Sequence, residues 1–122
     1  MSDYKVDNER VNPLRLTDNE TGESYELDFS RESVRFAEGR GFQTEDISKF
    51  PGTKVPEFWF YAFRMHHKNL AKSQTDALLE KVGGVTPKMI ARLVDLYAQA
   101  VASNNIQDDE ELEKNEKVTV EL

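Results

Sequence analysis

The only two histidines of the chain, His66 and His67, are adjacent, and they are the first side chains to consider as metal ligands. Two histidines on a helix bind one metal ion when they lie four residues apart. Adjacent helical residues point about 100° apart, so this pair is not expected to share an ion. His66 is expected to face the core as a structural imidazole, and His67 is expected to be more exposed. We predict no metal site.

Other signatures of catalysis are also missing from the sequence. Without a cysteine there is no thiolate nucleophile, no disulfide and no cysteine-based zinc site. The glycines in residues 39–41 and 83–88 lack the spacing and the Lys-Ser/Thr ending of a phosphate-binding loop, so we interpret them as helix stops. Ser30 and Ser73 are interpreted as helix caps, not as nucleophiles. The chain is therefore predicted not to be an enzyme and to need no cofactor.

The negative charge of the chain is concentrated at its C-terminus. The net charge is −7, and residues 108–122 contain seven acids and two lysines, whereas residues 1–107 contain sixteen acids and fourteen bases. Binding to nucleic acid or to an anionic membrane requires clustered lysine and arginine, so neither partner is expected. The longest apolar run, residues 58–63, is too short to span a bilayer. An intracellular protein with one domain is predicted.

Two short alternating segments followed by helical patterns predict an α+β fold that is mostly α. Residues 14–17 and 24–29 alternate apolar and polar side chains around a turn, which predicts an N-terminal β-hairpin. A lone hairpin is marginal in water, so its apolar face must pack against helices or against a strand of a neighbouring molecule. A small bundle of about four to five helices is expected, over residues 32–40, around Ile47, over 56–69, from 73 to 82 and from 87 onward.

The third of these helices is unusually rich in aromatic residues. Five of the twelve aromatic residues of the chain lie between Phe58 and Phe63, so apolar side chains point in several directions around the helix axis. Trp59 is expected to face the core, because it shares a stripe with other apolar residues. A domain this small seldom encloses one helix completely, so we predict an exposed aromatic patch that a partner covers. The residues expected in this partner-binding patch are Phe60, Tyr61, Met65 and His67.

The end of the chain is predicted to be separate from the folded domain. We predict a flexible N-terminus over residues 1–12, one hairpin-plus-helices domain over 13–104 and a disordered acidic tail over 105–122. Residues 117–122 close the tail with an alternating, strand-like pattern that can add to the edge of a sheet. We therefore expect partner contacts from Val118, Val120 and Leu122. Self-association is expected separately, because the hairpin edge and the aromatic helix each offer a surface to a second copy.

The order and spacing of several short motifs resemble one protein family. The motifs are Leu16-Thr17-Asp18 with Gly22, residues 25–34, Glu38, Gly41-Phe42, Phe60-Tyr61-Ala62-Phe63 with His66-His67, Val82-Gly83-Gly84, Leu93 and Leu96-Tyr97. This series resembles the tail assembly chaperones of long-tailed, siphovirus-type bacteriophages and of prophages of Gram-positive bacteria. The resemblance extends from about residue 14 to residue 97, and it includes no catalytic motif.

The resemblance implies a non-catalytic role in virus assembly. A tail assembly chaperone binds the long, helical tape measure protein and keeps it soluble until the tail tube polymerises around it. The expected partners are thus the tape measure protein and, secondarily, the tail tube protein. The expected location is the cytoplasm of the bacterial host, with no copy in the mature virion. The alternative, from charge alone, is an acidic regulatory module that sequesters a basic partner protein through residues 108–122.

Overall fold

The structure, a computed structural model, describes residues 10–105 and 117–121. A two-stranded hairpin precedes five helices, which confirms the predicted α+β, mostly helical fold. Within the described residues, no helix combines the length and the apolar character needed to cross a membrane. The elements are β1 (Leu14–Thr17), β2 (Ser24–Leu27), α1 (Arg31–Gly39), α2 (Asp46–Lys49), α3 (Pro51–Phe63), α4 (Lys72–Val82) and α5 (Pro87–Ala102).

The predicted hairpin is confirmed, with β1 and β2 antiparallel and Leu14 opposite Leu27. The turn is stabilised by Asp18, whose backbone N–H donates to the Glu23 carbonyl at 2.7 Å. The Asp18 side chain also accepts from the backbone N–H of Glu20 at 2.9 Å. Gly22 closes the turn with a φ of 82°, a conformation that other residues rarely adopt. The hairpin thereby presents one apolar face to the helices.

A serine pair sets the start of α1, as the sequence predicts. Ser30 is the N-cap, and its side chain accepts from the backbone N–H of Ser33 at 3.1 Å. Ser33 reciprocates, because its hydroxyl oxygen accepts from the backbone N–H of Ser30 at 2.8 Å. This capping box satisfies two N–H groups that the helix itself leaves unpaired.

The aromatic helix α3 begins and ends earlier than predicted. It starts at Pro51, not at residue 56, and it ends at Phe63, not near residue 69. Pro56 therefore lies inside the helix, where it has no N–H to donate to the carbonyl four residues earlier. After Phe63 the backbone N–H of Arg64 bonds to the Tyr61 carbonyl, three residues back, and the chain turns away. Helical periodicity therefore does not describe His66 and His67.

Aromatic residues from several elements enclose α3. Phe58 lies between two stacked rings, with the centroids of Phe29 and Phe42 each 5.3 Å from its own. Tyr97 of α5 packs edge-on against Phe58 at 5.8 Å. On another side, the indole N–H of the buried Trp59 donates to the Thr75 carbonyl at 2.8 Å and so joins α3 to α4. The core is thus organised around this one helix.

The last two helices differ from the sequence pattern in detail. The N-cap of α4 is Ala71, not Ser73, and the Gln74 side chain accepts from the Ala71 backbone N–H at 2.7 Å. An α5 that starts after Thr86 is confirmed, since the Thr86 hydroxyl accepts from the Met89 N–H at 3.1 Å. The buried stripe of α5 consists of Leu93, Leu96, Tyr97 and Ala100, whereas Val101 is 36% exposed.

The capping box predicts a measurable difference between two serines. Ser30→Ala removes the N-cap acceptor of α1 and is expected to lower the free energy of unfolding by about 1 kcal/mol. Ser73→Ala is the matched control, because Ser73 is exposed and lies inside the first turn of α4. Its effect is expected to stay within about 0.5 kcal/mol. Urea denaturation of both variants is the measurement, and equal effects would contradict the assigned caps.

Candidate protein-binding surfaces

The structure buries one residue of the predicted aromatic patch and leaves others accessible. Tyr61 is only 4% exposed, so its predicted exposure is wrong. Phe36 of α1 and Phe42 after α1 pack edge-on against its ring, at 5.9 and 5.2 Å. Phe60 is half-buried against the core, and Met65 is 36% exposed. Phe60 and Met65 are therefore the two members of the patch on α3 and its end that retain accessible surface.

The two histidines have exchanged their predicted environments. His67, expected outside, is half-buried, and its Nε2 accepts from the backbone N–H of Glu26 at 3.0 Å. Its ring packs edge-on against Tyr25 at 5.3 Å. His66, expected inside, is exposed, with its Nε2 3.7 Å from a Glu26 carboxylate oxygen. α3 ends at Phe63, so the regular helical spacing on which the prediction depended does not extend to the two histidines.

The hydrogen bond to His67 requires a neutral imidazole. A nitrogen that accepts a hydrogen bond cannot carry a proton, so the proton of neutral His67 lies on Nδ1. Burial lowers the pKa of His67, and the positive charge of a protonated His66 lowers it further. The Glu26 carboxylate partly offsets both effects. His67 therefore acts as a structural acceptor that attaches the segment after α3 to the outer edge of β2.

A group of carboxylates beside His66 went unnoticed in the sequence. In the part of the chain that the structure describes, possible ligand atoms of Glu26, Asp28 and His66 lie within 4.8 Å of one another. The Asp28 side chain is 4% exposed, and its oxygens accept from the Phe29 N–H at 2.7 Å and lie 3.6 Å from Arg10 Nη2. The signal was the two-residue spacing at the end of β2, which places both carboxylates on one face. Each carboxylate has its own cation, because Asp28 pairs with Arg10 and Glu26 lies 3.8 Å from Arg15 Nη2.

An apolar groove runs along the outer side of α5. We define the α5 groove by its wall, Val94, Ala98 and Val101, and by its floor, Phe42 and Tyr97. The segment between α1 and α2 forms the opposite wall and encloses a volume of about 840 Å³. The wall residues are half-buried or exposed, whereas the floor rings are buried. A volume of this size is within the range of binding clefts in proteins.

Two acids give the rim of the α5 groove a negative potential. Glu38 and Glu45 line the groove together with its apolar wall. Burial raises the pKa of Tyr97 to about 12, and the two carboxylates contribute to the shift. The Tyr97 hydroxyl is therefore neutral at physiological pH, so the floor adds no charge. The groove combines an apolar interior with an acidic rim, a combination that suits an apolar partner flanked by basic residues.

The C-terminal residues predicted to contact a partner are partly described. Val118 and Val120 are 59% and 49% exposed, in a segment outside the hairpin sheet. Leu122 and most of the predicted acidic tail, residues 106–116, lie outside the described residues. The two valines are thus exposed apolar side chains that are available to a partner.

The fold and the α5 groove define a small α+β domain with an open, acid-rimmed apolar cleft. The entire chain, residues 1–122, matches the family described as a domain of unknown function, DUF5055, and the chain belongs to that family. No curated protein and no solved structure matches it.

The neutral His67 predicts that stability falls in mild acid. The unfolded histidine, with an ordinary pKa of 6.5, binds its proton at a higher pH than the folded one does. The unfolded state therefore gains protons first, and the free energy of unfolding falls as the pH drops below 6.5 towards the lower folded pKa. In His67→Gln an amide oxygen can accept from Glu26 without titrating, so this loss should shrink. Urea denaturation across this pH range is the measurement, and an unchanged pH dependence would contradict the assignment.

The burial of Tyr61 predicts a large effect on stability. Tyr61→Ala removes a buried aromatic ring and should lower the free energy of unfolding by about 3 kcal/mol or more. Met65→Ala changes a partly exposed side chain near the same helix end and should stay within about 0.5 kcal/mol. Thermal and urea denaturation compare the two variants. A small effect of Tyr61→Ala would mean that the ring lies on the surface, as the sequence pattern had suggested.

Proposed function

We propose that this protein is a non-catalytic tail assembly chaperone of a bacteriophage or prophage, which binds and solubilises the tape measure protein before the tail tube polymerises. The observation that carries the proposal is the α5 groove, an apolar cleft that the described part of the chain leaves uncovered. The sequence resemblance given above supports the same role. Both point to a function in binding another protein.

The groove is suited to an amphipathic helix. Its wall residues Val94, Ala98 and Val101 follow the spacing of one helix face and extend over about two turns. Alanine at the centre of the wall allows a second helix to approach closely, while the valines on either side provide apolar surface. A helical client would insert its own apolar stripe between this wall and the segment from Gly41 to Glu45.

The charges of the protein match such a client. Glu38 and Glu45 at the rim favour a helix with lysine or arginine beside its apolar stripe. The net charge of −7 keeps the chaperone soluble while it carries an aggregation-prone partner. The proposed place of action is the host cytoplasm during assembly, where binding must be reversible so that tail tube subunits can replace the chaperone.

Phe60 and Met65 supply a possible second contact. Both lie outside the α5 groove. Phe60 is half-buried on α3, and Met65 is exposed in the turn that follows α3. In our proposal a long helical client contacts several chaperone copies, so two separate apolar surfaces per copy increase the area that each copy covers. The α5 groove is the primary site in this arrangement because it offers both a cleft and charge complementarity.

The proposal predicts that one valine is needed for client binding. The protein is co-expressed with the longest helical, alanine-rich reading frame downstream of its gene, and the soluble complex is measured by light scattering. Val101→Asp places a charge in the α5 groove and should reduce the recovered complex at least tenfold, because an unpaired charge opposes burial. Val82→Asp is the matched control, since Val82 is 43% exposed at the end of α4, outside the groove, and should leave recovery unchanged.

Two results would contradict the proposal. If the client stays insoluble beside the wild-type protein, the chaperone role is wrong. If both aspartate variants retain the complex but salt dissolves it, binding depends on charge, and the acidic module that sequesters a basic partner becomes the better explanation. Circular dichroism of each variant establishes that the helical fold is intact.

A further inference from the structure

The two edges of the hairpin sheet differ in whether their outward backbone groups have hydrogen-bond partners. On β2, the outward N–H of Glu26 donates to His67 at 3.0 Å, and the next outward N–H, that of Asp28, donates to the Ala62 carbonyl at 3.0 Å. The end of α3 and the turn after it therefore cover this edge. A further strand cannot pair with β2.

The edge of β1 has no such cover. In an antiparallel pair, two residues that lie opposite each other either both direct their backbone N–H and C=O groups towards the partner strand or both direct them away from it. Because Glu26 points outward, its partner Arg15 also does, and so does Thr17, two residues on. No other described residue bonds to the outward N–H or C=O of these two residues. Just before them, Arg92 of α5 reaches the Pro13 carbonyl at 3.5 Å, so the open stretch begins at Arg15.

The apolar face of β1 is also incompletely covered. Leu27 on β2 is fully buried, whereas Leu14 and Leu16 on β1 are only half-buried. Both leucines pack against the core from the same face of the sheet. A third strand beside β1 would cover these leucines and bond to the open backbone groups at the same time.

The chain contains a segment of matching chemistry. Residues 118–121 alternate between apolar and polar side chains, and the apolar ones are Val118 and Val120. These valines are 59% and 49% exposed, and the outward backbone groups of Arg15 and Thr17 on the β1 edge have no partner among the described residues. Two incomplete surfaces in one molecule can be satisfied when copies exchange them.

We propose that the β1 edge binds residues 118–121 of a second copy of this chain as a third, antiparallel strand. In the register we infer, Glu121 lies opposite Arg15, Val120 opposite Leu16 and Thr119 opposite Thr17. The valine then faces the core with Leu16, and the acid pairs with the only charge on β1. The outward groups of Arg15 and Thr17 can make four backbone hydrogen bonds in this register. The inference is independent of the proposed chaperone role.

Reciprocal charge changes test the pairing between two copies. Glu121→Arg and Arg15→Glu each place like charges opposite one another, so each variant alone should raise the dimer dissociation constant about tenfold or more. Mixing the two variants restores opposite charges at both edges and should restore wild-type association. Asp95→Arg is the matched control, because it makes the same charge change as Glu121→Arg at an exposed position on α5 and should associate normally.

Light scattering coupled to size-exclusion chromatography measures association over a concentration series. Arg15 also lies 3.8 Å from Glu26, so thermal melting must show that Arg15→Glu is folded, and Val120→Asp provides a second test that leaves the hairpin untouched. A monomeric wild-type protein overturns the proposal. The proposal is also overturned if the mixture of the two variants stays monomeric while one chain that carries both Arg15→Glu and Glu121→Arg is as stable as wild type. In that case the C-terminal segment pairs with the β1 edge of its own chain.

Discussion

The structure depends on the need to bury a helix that is apolar on nearly every side. Phe58, Trp59, Tyr61, Ala62 and Phe63 are consecutive apart from Phe60, and all five are buried. No single neighbouring element can cover such a helix, so the chain surrounds α3 with β2, α1, α2 and α4, and with Tyr97 of α5. The stack of Phe29, Phe58 and Phe42 is an example, because the ring of Phe58 on α3 packs between rings from two other parts of the chain.

This use of apolar surface leaves other surfaces uncovered. With the inner stripe of α5 packed through Leu93, Leu96 and Tyr97, the side of α5 that carries Val101 has no partner within the described chain. Similarly, the end of α3 covers β2 but not β1. The α5 groove and the β1 edge are therefore two consequences of one packing arrangement. We interpret both as surfaces for other protein chains.

Local signals in the sequence predict much of this fold, and the failures have identifiable causes. Ser30, Thr86-Pro87 and the alternating hairpin segments act over a few residues, so their structural effects were predictable. The end of α3 was not, because the aromatic run continues the helical pattern while tertiary contacts turn the chain after Phe63. Tyr61 was misassigned for the same reason, since periodicity gives a side chain's direction but not what covers it. The α5 groove likewise depends on where the segment after α1 packs.

The most direct test of the account is hydrogen–deuterium exchange on the complex with the proposed tape measure client. The account predicts that client binding slows exchange most strongly in α5 and in the segment between α1 and α2, residues 94–105 and 41–45, because these form the two walls of the α5 groove. Slowed exchange confined to residues 108–122, with no change along α5, would contradict it. That result would assign binding to the acidic tail and not to the helical body.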